Sequence, residues 1–325
     1  MVNAAATGVP NSEFTLTVGA RTDTGKVRAN NQDAVRVWTD LPQTIPFAAR
    51  GYLFAVADGV GGNEGGEIAS ALAMDNLFHT YYSGDTNDIA AALKIAVNVA
   101  NDAVFEAGES QAEDRKMGTT LVAGVIRGGA LTVANVGDSR AYLFRGRTQA
   151  AQITKDHSMV AEAVRAGQMT AEQARTSRQR NIITRALGNR HNVEVDIFEV
   201  DLLPDDVILL CSDGLYGTLE EPALKEVAQT VPPPVAANQL IDMANAHNAS
   251  DNISAVIVQV TREGQPALQA LPSAFQQNQL PTERIATVAP ATRGTPVFAV
   301  IAAVVVLALI IAAVLLIFVF HVVKF

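Results

Sequence analysis

The chain has 325 residues, 49% of them hydrophobic, and a formal net charge of −9 at neutral pH. This length and apolar content are enough for one substantial hydrophobic core or two smaller ones. The acidic balance, without any block of Lys and Arg, disfavours nucleic acid as a partner. The single cysteine, Cys211, excludes an intrachain disulfide and a cysteine-rich zinc site, and it fits a reducing compartment.

Alternating strand and helix signals cover residues 13–262, and we expect residues 1–12 to be a disordered leader. Apolar runs predict strands at 14–21, 51–58, 119–129, 130–138, 140–147, 206–213 and 252–260. Apolar periodicity predicts helices at 65–82, 87–108, 157–167, 170–178, 221–229 and 235–248. Because the strands cluster in hairpins and the helices stand apart, the pattern indicates an α+β protein, not a parallel βαβ sheet.

The C-terminal part of the chain differs in composition from the rest. Residues 263–296 are rich in Gln, Pro, Ala and Thr and predict a flexible linker. The run 296–323 contains no Asp, Glu, Lys or Arg, and a bilayer core needs about 20 apolar residues. A buried core helix is the alternative, but a core helix of this length normally has a polar face. We therefore predict a transmembrane helix at 297–320 and a short tail at 321–325.

The orientation of this span follows from the charges beside it. Arg284 and Arg293 precede the apolar run, so the positive-inside tendency places that side in the cytoplasm. The expected protein is single-pass in the inner or plasma membrane, with its folded domain in the cytoplasm.

Five acids stand at the ends of predicted strands. Asp58 follows "YLFAVA", Asp213 follows "VILLCS", Asp138 follows "LTVANVG", Asp251 precedes "NISAVIVQV", and Asp33 precedes a short apolar run. Each alone fits ordinary turn chemistry. Together they predict that the five carboxylates come close to one another where the strands end. Carboxylates this close repel one another unless cations compensate their charge. Oxygen ligands favour magnesium, manganese or calcium, whereas the His and Cys spacing of a zinc site is absent.

The glycine-rich stretch "GVGGNEGG" after Asp58 does not match a phosphate-binding loop, because no Lys follows it. We expect Asp58 to hold metal and the metal to hold phosphate. The glycines would let the backbone turn tightly, so that the carbonyl of Gly59 can also face an ion.

Seven segments carry a family resemblance: "RANNQDAV", "VADGVGGNEGGEIAS", "MGTTLVAGVI", "ANVGDSRAYLFR", "ITKDHS", "CSDGLYG" and "SDNISAVIVQV". In this order they resemble the metal-dependent type 2C (PPM) serine/threonine protein phosphatases, most closely the bacterial branch. The resemblance covers about residues 14–260. It implies a β-sandwich of two antiparallel sheets flanked by helices (αββα), with the metals at one end.

The resemblance also implies roles for individual residues. Asp58 would bridge two Mn²⁺ or Mg²⁺ ions, and Gly59 would offer its carbonyl to one of them. Asp213 and Asp251 would hold the other ion, and Asp33 would support the centre through water. The reaction implied is hydrolysis of phosphoserine and phosphothreonine by a metal-activated water, with no covalent enzyme intermediate.

Three further features of the family have counterparts in this sequence. Arg28 matches the phosphate-binding Arg, and Asp138 with Asp213 matches a third, weaker metal site found in bacterial members. Residues 156–190 match the flap beside the cleft. Two positions depart from the pattern. Val60 replaces the His proposed as general acid in many relatives, so the leaving-group proton donor is unassigned, and Gln32 replaces a common Glu.

Phosphorylated proteins are the expected partners, above all a membrane-bound Ser/Thr kinase whose phosphorylation the enzyme would reverse. Two alternatives stay open: a catalytically silent phosphoprotein-binding adaptor, and a switch phosphatase acting on an anti-sigma-factor antagonist. A cysteine phosphatase is excluded, because that chemistry needs an Arg six residues after Cys211 and Gly217 stands there. The sequence leaves the oligomeric state, the substrates and the choice between Mn²⁺ and Mg²⁺ open.

Overall fold

The computed structural model describes residues 6–11, 14–61, 65–110, 117–146 and 148–262. The strands in these ranges are β1 (Ala6–Asn11), β2 (Phe14–Asp23), β3 (Asp33–Val37), β4 (Tyr52–Gly61), β5 (Met117–Thr119), β6 (Leu121–Arg127), β7 (Ala130–Val136), β8 (Arg140–Arg145), β9 (Gln149–Gln152), β10 (Asp196–Asp201), β11 (Val207–Cys211) and β12 (Ile253–Arg262). The helices are α1 (Phe47–Arg50), α2 (Gly65–Ser83), α3 (Ile89–Glu109), α4 (Met159–Arg165), α5 (Ala171–Thr176), α6 (Asp213–Tyr216), α7 (Glu221–Thr230) and α8 (Pro233–Ala246).

The strands form two antiparallel sheets. The first has the order β1-β2-β12-β11-β8-β9 and the second the order β10-β7-β6-β4-β3, with β5 paired to the end of β4. Alternate residues of each sheet point inward and meet in one apolar core, for example Val256 and Leu210 from the first sheet and Phe54 and Val122 from the second. The predicted α+β class with two antiparallel sheets is confirmed.

Helices cover the outer face of each sheet. On the second sheet, Leu53 and Ala55 of β4 pack in one cluster with Leu77 of α2 and Leu93 of α3. On the first sheet, residues of β11 and β12 pack in a separate cluster with α7 and α8. The central strands are therefore buried on both faces, which is why their sequences are nearly continuous apolar runs.

Several boundaries differ from those the sequence predicts. A disordered leader over 1–12 is wrong for Ala6–Asn11, which pairs with β2 as the edge strand β1. The single strand expected at 119–129 is interrupted at Thr120, whose backbone N–H donates to Asp58. The short strands β3, β9 and β10 and the short helices α1 and α6 carry too few apolar residues for a clear pattern.

Two corrections bear on the site. We expected a strand to end at Asp58 and a glycine turn to follow, but β4 continues to Gly61 because β5 pairs with it there. We expected Asp213 to close a strand, but β11 ends at Cys211 and Asp213 begins α6.

The predicted linker, membrane span and tail all lie outside the described residues. Within the described ranges, no helix has both the length and the apolar character needed to cross a bilayer.

Candidate active site

The predicted acids converge at one end of the sandwich. Asp33 and Asp58 are cross-strand partners on β3 and β4 of the second sheet. Asp213 follows β11 and Asp251 precedes β12, which are neighbouring strands of the first sheet. Burial and then the nearby charges of Asp33 and Asp213, with smaller effects of Asp138 and Asp251, raise the pKa of Asp58 well above its ordinary value. The acids of both sheets therefore share one electrostatic environment.

The other buried carboxyls of this group are shifted in the same direction. Burial is the main cause that raises the pKa of Asp33 and of Asp213, although a hydrogen bond with Asp58 opposes the shift at Asp213. Burial, together with the charges of Asp213 and Asp156, raises the pKa of Asp138 to about 7. An ionised cluster of this kind needs nearby positive charge.

Divalent cations fit the oxygen atoms that this cluster presents. Asp33 Oδ1 and Asp213 Oδ1 are buried and have no hydrogen-bond partner among the described residues. A buried carboxylate oxygen without a partner is costly, and hard cations such as Mg²⁺ and Mn²⁺ take oxygen ligands. Asp33, Asp58, Asp213 and Asp251 would hold such ions or the water around them.

The arrangement of Asp251 limits this fit. Asp251 Oδ2 accepts a hydrogen bond from Arg28 at 2.8 Å, and Asp251 Oδ1 accepts one from the backbone N–H of Asn252 at 2.9 Å. In the described part of the chain, no three His, Cys, Asp or Glu side chains meet the geometry of a metal site. Arg28 therefore competes with a metal ion for Asp251 Oδ2.

Arg28 lies on a loop that the side chain of Asn252 holds in place. Asn252 Nδ2 donates to the carbonyls of Thr24 and Asn30, and Asn252 Oδ1 accepts from the backbone N–H of Gln32. The Arg28 side chain stays 52% exposed, so it can reach a substrate from the solvent side. Asn252 is a residue that sequence reasoning missed, although its place directly after Asp251 was a signal.

Gly59 is required by close packing. A Cβ built on Gly59 would lie 2.1 Å from the carbonyl oxygen of Gly66 and 2.6 Å from that of Gln32. The backbone N–H of Gly59 donates to the same Gln32 oxygen. Any larger residue at position 59 would displace the start of α2 or the strand end that carries Asp33. Ligation by the Gly59 carbonyl stays a prediction.

The pair proposed for a third metal is supported by a tyrosine. Tyr216, at the end of the helix that Asp213 begins, donates from its hydroxyl to the carbonyl of Asp138 at 3.0 Å. The guanidinium of Arg140 lies 3.6 Å from the centre of the Tyr216 ring and forms a forked ion pair with Asp156. Tyr216 therefore ties Asp138 to the helix of Asp213.

The segment expected to form a flap, 156–190, contains α4 and α5. Its two ends are held by isolated bridges, Ser158 with Ile183 and Thr119 with Leu187. The hydroxyl of Thr119 donates to the carbonyl of Asp58 at 2.9 Å. The end of this segment that pairs with Thr119 therefore lies next to the carboxylate cluster.

Comparison with known proteins gives the family. The protein phosphatase 2C family matches residues 39–253, a range that begins after Arg28 and Asp33. The serine/threonine phosphatase stp of Listeria monocytogenes is 33% identical over 254 residues, covering 76% of this chain and 98% of that protein. The serine/threonine protein phosphatase PstP of Mycobacterium tuberculosis is 36% identical over 245 residues, covering 75% of this chain and 45% of that protein.

Solved structures agree with these matches. The crystal structure of Mycobacterium tuberculosis PstP superposes with a TM-score of 0.68 at 35% identity, covering 76% of this chain and 99% of that one. The catalytic domain of PstP in complex with two manganese ions gives a TM-score of 0.66 at 35% identity, covering 77% of this chain and 99% of that one. The chain described here therefore belongs to the protein phosphatase 2C family, and it is a serine/threonine protein phosphatase.

Proposed function

We propose that this phosphatase removes phosphate from phosphoserine and phosphothreonine with two Mn²⁺ or Mg²⁺ ions, held by Asp58, the Gly59 carbonyl, Asp213 and Asp251. The observation that carries this assignment is the convergence of buried carboxylates with raised pKa values at one end of the sandwich. The manganese complex of PstP, a relative of the same fold, supports the choice of metal. Asp33 supports the centre through water.

The residues of the chain divide the chemical work. When bound, the ions activate a water for attack on phosphorus and offset negative charge on the phosphoryl group. Arg28 exchanges Asp251 for the substrate and binds two phosphate oxygens through its planar guanidinium. Val60, which is 44% exposed, has no proton to give the leaving group, so that proton comes from another donor. A third, weaker ion is assigned to Asp138 and Asp213.

Hydrolysis of p-nitrophenyl phosphate and of a phosphothreonine peptide by the full-length protein tests this proposal. Turnover should require Mn²⁺ or Mg²⁺, stop with EDTA, and be lost in Asp58→Asn. The exposed Asp85→Asn removes an equal charge away from the cluster and should keep full activity. Peptide binding without turnover in the folded, metal-loaded protein would contradict the proposal and favour an adaptor. Turnover confined to a phosphorylated anti-sigma-factor antagonist would favour the switch phosphatase.

We also propose that the apolar run 296–323 anchors the enzyme in the inner or plasma membrane with the folded domain in the cytoplasm. The support is its uncharged composition and the flanking Arg284 and Arg293. An anchor raises the local concentration of the enzyme near membrane partners, which favours a membrane-bound Ser/Thr kinase as the physiological counterpart.

The anchor can be tested by three substitutions made together. Leu307→Arg, Ile310→Arg and Leu315→Arg put three charges inside the proposed span, and at about 3 kcal/mol each their cost exceeds the favourable insertion free energy of the remaining apolar residues. The wild-type chain should stay with membranes after a carbonate wash, whereas the triple variant should be released with its phosphatase activity intact. Release of the wild-type chain by the wash would contradict the anchor and leave the catalytic proposal standing.

A further inference from the structure

Two buried serines donate hydrogen bonds to one oxygen of Asp33. Ser212 Oγ and Ser254 Oγ each lie 2.7 Å from Asp33 Oδ2. Both serines are fully buried, and Asp33 is 8% exposed. The serines belong to the sheet of β11 and β12, whereas Asp33 begins β3 of the other sheet. The three side chains therefore join the two sheets at the carboxylate cluster.

The donors are arranged in a directed series. Ser254 Oγ also lies 2.8 Å from Thr22 Oγ1, and Thr22 Oγ1 accepts a hydrogen bond from Asn31 Nδ2 at 2.8 Å. A serine hydroxyl has one proton, so if Ser254 gives its proton to Asp33, Thr22 must give its own to Ser254. The series Asn31, Thr22, Ser254 then ends on the carboxylate, and each bond polarises the next.

Ser212 is oriented in the same way. Its hydroxyl oxygen accepts a hydrogen bond from the backbone N–H of Ser254 at 3.0 Å, which directs its proton toward Asp33. Asp33 Oδ2 thus has two donors, while Asp33 Oδ1 is buried and has no partner among the described residues. A carboxylate fixed at one oxygen cannot turn, so the other oxygen keeps a single direction.

We propose that Ser212 and Ser254 are positioning residues of the metal centre, which hold Asp33 so that its Oδ1 atom serves the water around the ions. This inference rests on the proposed function. Each serine also lies close in sequence to a proposed ligand, Ser212 directly before Asp213 and Ser254 three residues after Asp251. The pair therefore sets the spacing between Asp33 and the strand ends that carry the ligands.

A purely structural role would give a different result on substitution. If the two serine hydroxyls only hold the two sheets together, their removal should lower the free energy of unfolding and leave the metal affinity unchanged. Positioning residues behind metal ligands typically change metal affinity about 10- to 100-fold when they are lost. Metal affinity, measured without substrate, separates the two.

The experiment compares Ser254→Thr and Ser254→Val in the full-length protein. The two variants have nearly the same shape and differ in the hydroxyl, so any packing strain is common to both. Ser212→Ala tests the second donor. Thr261→Val is the matched control, because Thr261 is buried on the same strand and its hydroxyl donates only to the backbone carbonyl of Thr15.

Mn²⁺ titration by calorimetry is the first readout, with steady-state kinetics on a phosphothreonine peptide as the second. Ser254→Val and Ser212→Ala should bind Mn²⁺ about 10- to 100-fold more weakly than the wild type, and Ser254→Thr and Thr261→Val should bind it normally. KM for the peptide should stay unchanged, and kcat should recover at high Mn²⁺.

Each other outcome has a definite meaning. Wild-type Mn²⁺ affinity in both Ser254→Val and Ser212→Ala would overturn the positioning role and leave the proposed function in place. Equal weakening in Ser254→Thr and Ser254→Val would also overturn it, because packing and not the hydroxyl would then be the cause. Absence of Mn²⁺ binding and turnover in the wild-type protein would overturn the proposed function itself.

Discussion

The guanidinium of Arg28 lies 2.8 Å from Asp251 Oδ2, which pairs the residue proposed for phosphate with a residue proposed for metal. A guanidinium and a divalent cation compete for the same carboxylate oxygen. Because Arg28 is 52% exposed and its loop is held by Asn252, the side chain can leave while the loop stays. The pairing implies an exchange in which Asp251 turns from Arg28 to metal and Arg28 turns to phosphate.

Arg28→Ala should therefore act in opposite directions on the two ligands. Loss of the competitor should tighten Mn²⁺ binding about 2- to 5-fold, the range expected for an exposed ion pair. Loss of the guanidinium group that binds phosphate should lower kcat/KM for a phosphopeptide by about 100-fold. Calorimetric titration with Mn²⁺ and steady-state kinetics measure the two effects.

Arg36→Ala is the control for Arg28→Ala, since Arg36 forms an ion pair with Asp75 on α2. It removes the same charge without freeing a proposed ligand, so both parameters should stay near the wild-type values. Weaker Mn²⁺ binding in Arg28→Ala would show that the guanidinium supports the metal centre, against the proposed exchange.

Asp58→Asn should stabilise the metal-free protein while it abolishes activity. The pKa of Asp58 is raised in the folded state, so folding favours the protonated acid and becomes less favourable as pH rises above the ordinary value near 4. At pH 7.5 the neutral Asn removes that cost. With EDTA the Tm should rise by a few degrees, since about 1 kcal/mol corresponds to about 2–4 °C for a domain of this size.

The addition of Mn²⁺ should reverse this order, because the wild-type protein gains stability from binding and Asp58→Asn does not. Thermal unfolding with EDTA and with Mn²⁺ measures both arms. Asp85→Asn is the control and should follow the wild type in each. A lower Tm for Asp58→Asn in EDTA would mean that Asp58 stabilises the fold through contacts that outweigh its burial.

The site was predictable from sequence where an acid ends an apolar run. Asp58 ends the apolar run within β4 and Asp213 comes shortly after β11. Both faces of those strands are covered, so the hydrophobic run and its end are visible without a partner strand. Ser212 and Ser254 carry no such mark. Their contact with Asp33 spans 179 and 221 residues of sequence and depends on how β3 lies against β11 and β12. Single-sequence patterns do not contain that register.

The fold shows the same division between local and distant causes. Strands such as β4 and β12 carry apolar runs and were predicted. The edge strands β9 and β10 are partly polar and exist through pairing with β8 and β7. The break at Thr120 was also not predictable, because it follows from backbone and hydroxyl bonds to Asp58, 62 residues earlier.

His157 should make the protein less stable in mild acid. Its ring is buried, Nδ1 accepts a hydrogen bond from the backbone N–H of Gly137, and Nε2 lies 3.3 Å from Asp196 Oδ2 outside hydrogen-bonding geometry. Burial and then the charge of Arg185 lower the pKa of His157, with Arg165 adding to them, and Asp196 opposes the shift only in part. The unfolded chain thus takes up a proton first, so stability is full above about pH 6.5 and falls below it.

The measurement is the fall in Tm between pH 7.5 and pH 5.5 in EDTA. It should be smaller in His157→Gln, which keeps an acceptor for Gly137, than in the wild type. His79→Gln replaces an exposed histidine on α2 and should leave the fall unchanged. The carboxylate cluster titrates in the same interval with the opposite sign, but it is common to all three proteins and cancels in the comparison. An equal fall in His157→Gln and the wild type would contradict the assignment.

Arg140 and Asp156 should contribute more to stability than any exposed ion pair of the fold. Asp156 accepts from Arg140 at both carboxylate oxygens, its side chain is only 10% exposed, and Arg140 stacks on Tyr216. Asp156→Asn leaves this guanidinium charge without its counterion, which should lower the free energy of unfolding by about 3 kcal/mol. Urea denaturation in EDTA measures the loss.

The pair between Arg175 and Glu220 provides the comparison for Asp156→Asn, because its side chains are 68% and 74% exposed. Glu220→Gln should cost less than about 1 kcal/mol, since solvent and salt screen an exposed pair. Raising the salt concentration should remove most of that smaller effect and little of the larger one. Equal losses in the two variants would mean that solvent screens Arg140 as well, and that its stacking on Tyr216, not the ion pair, holds it beside Asp138.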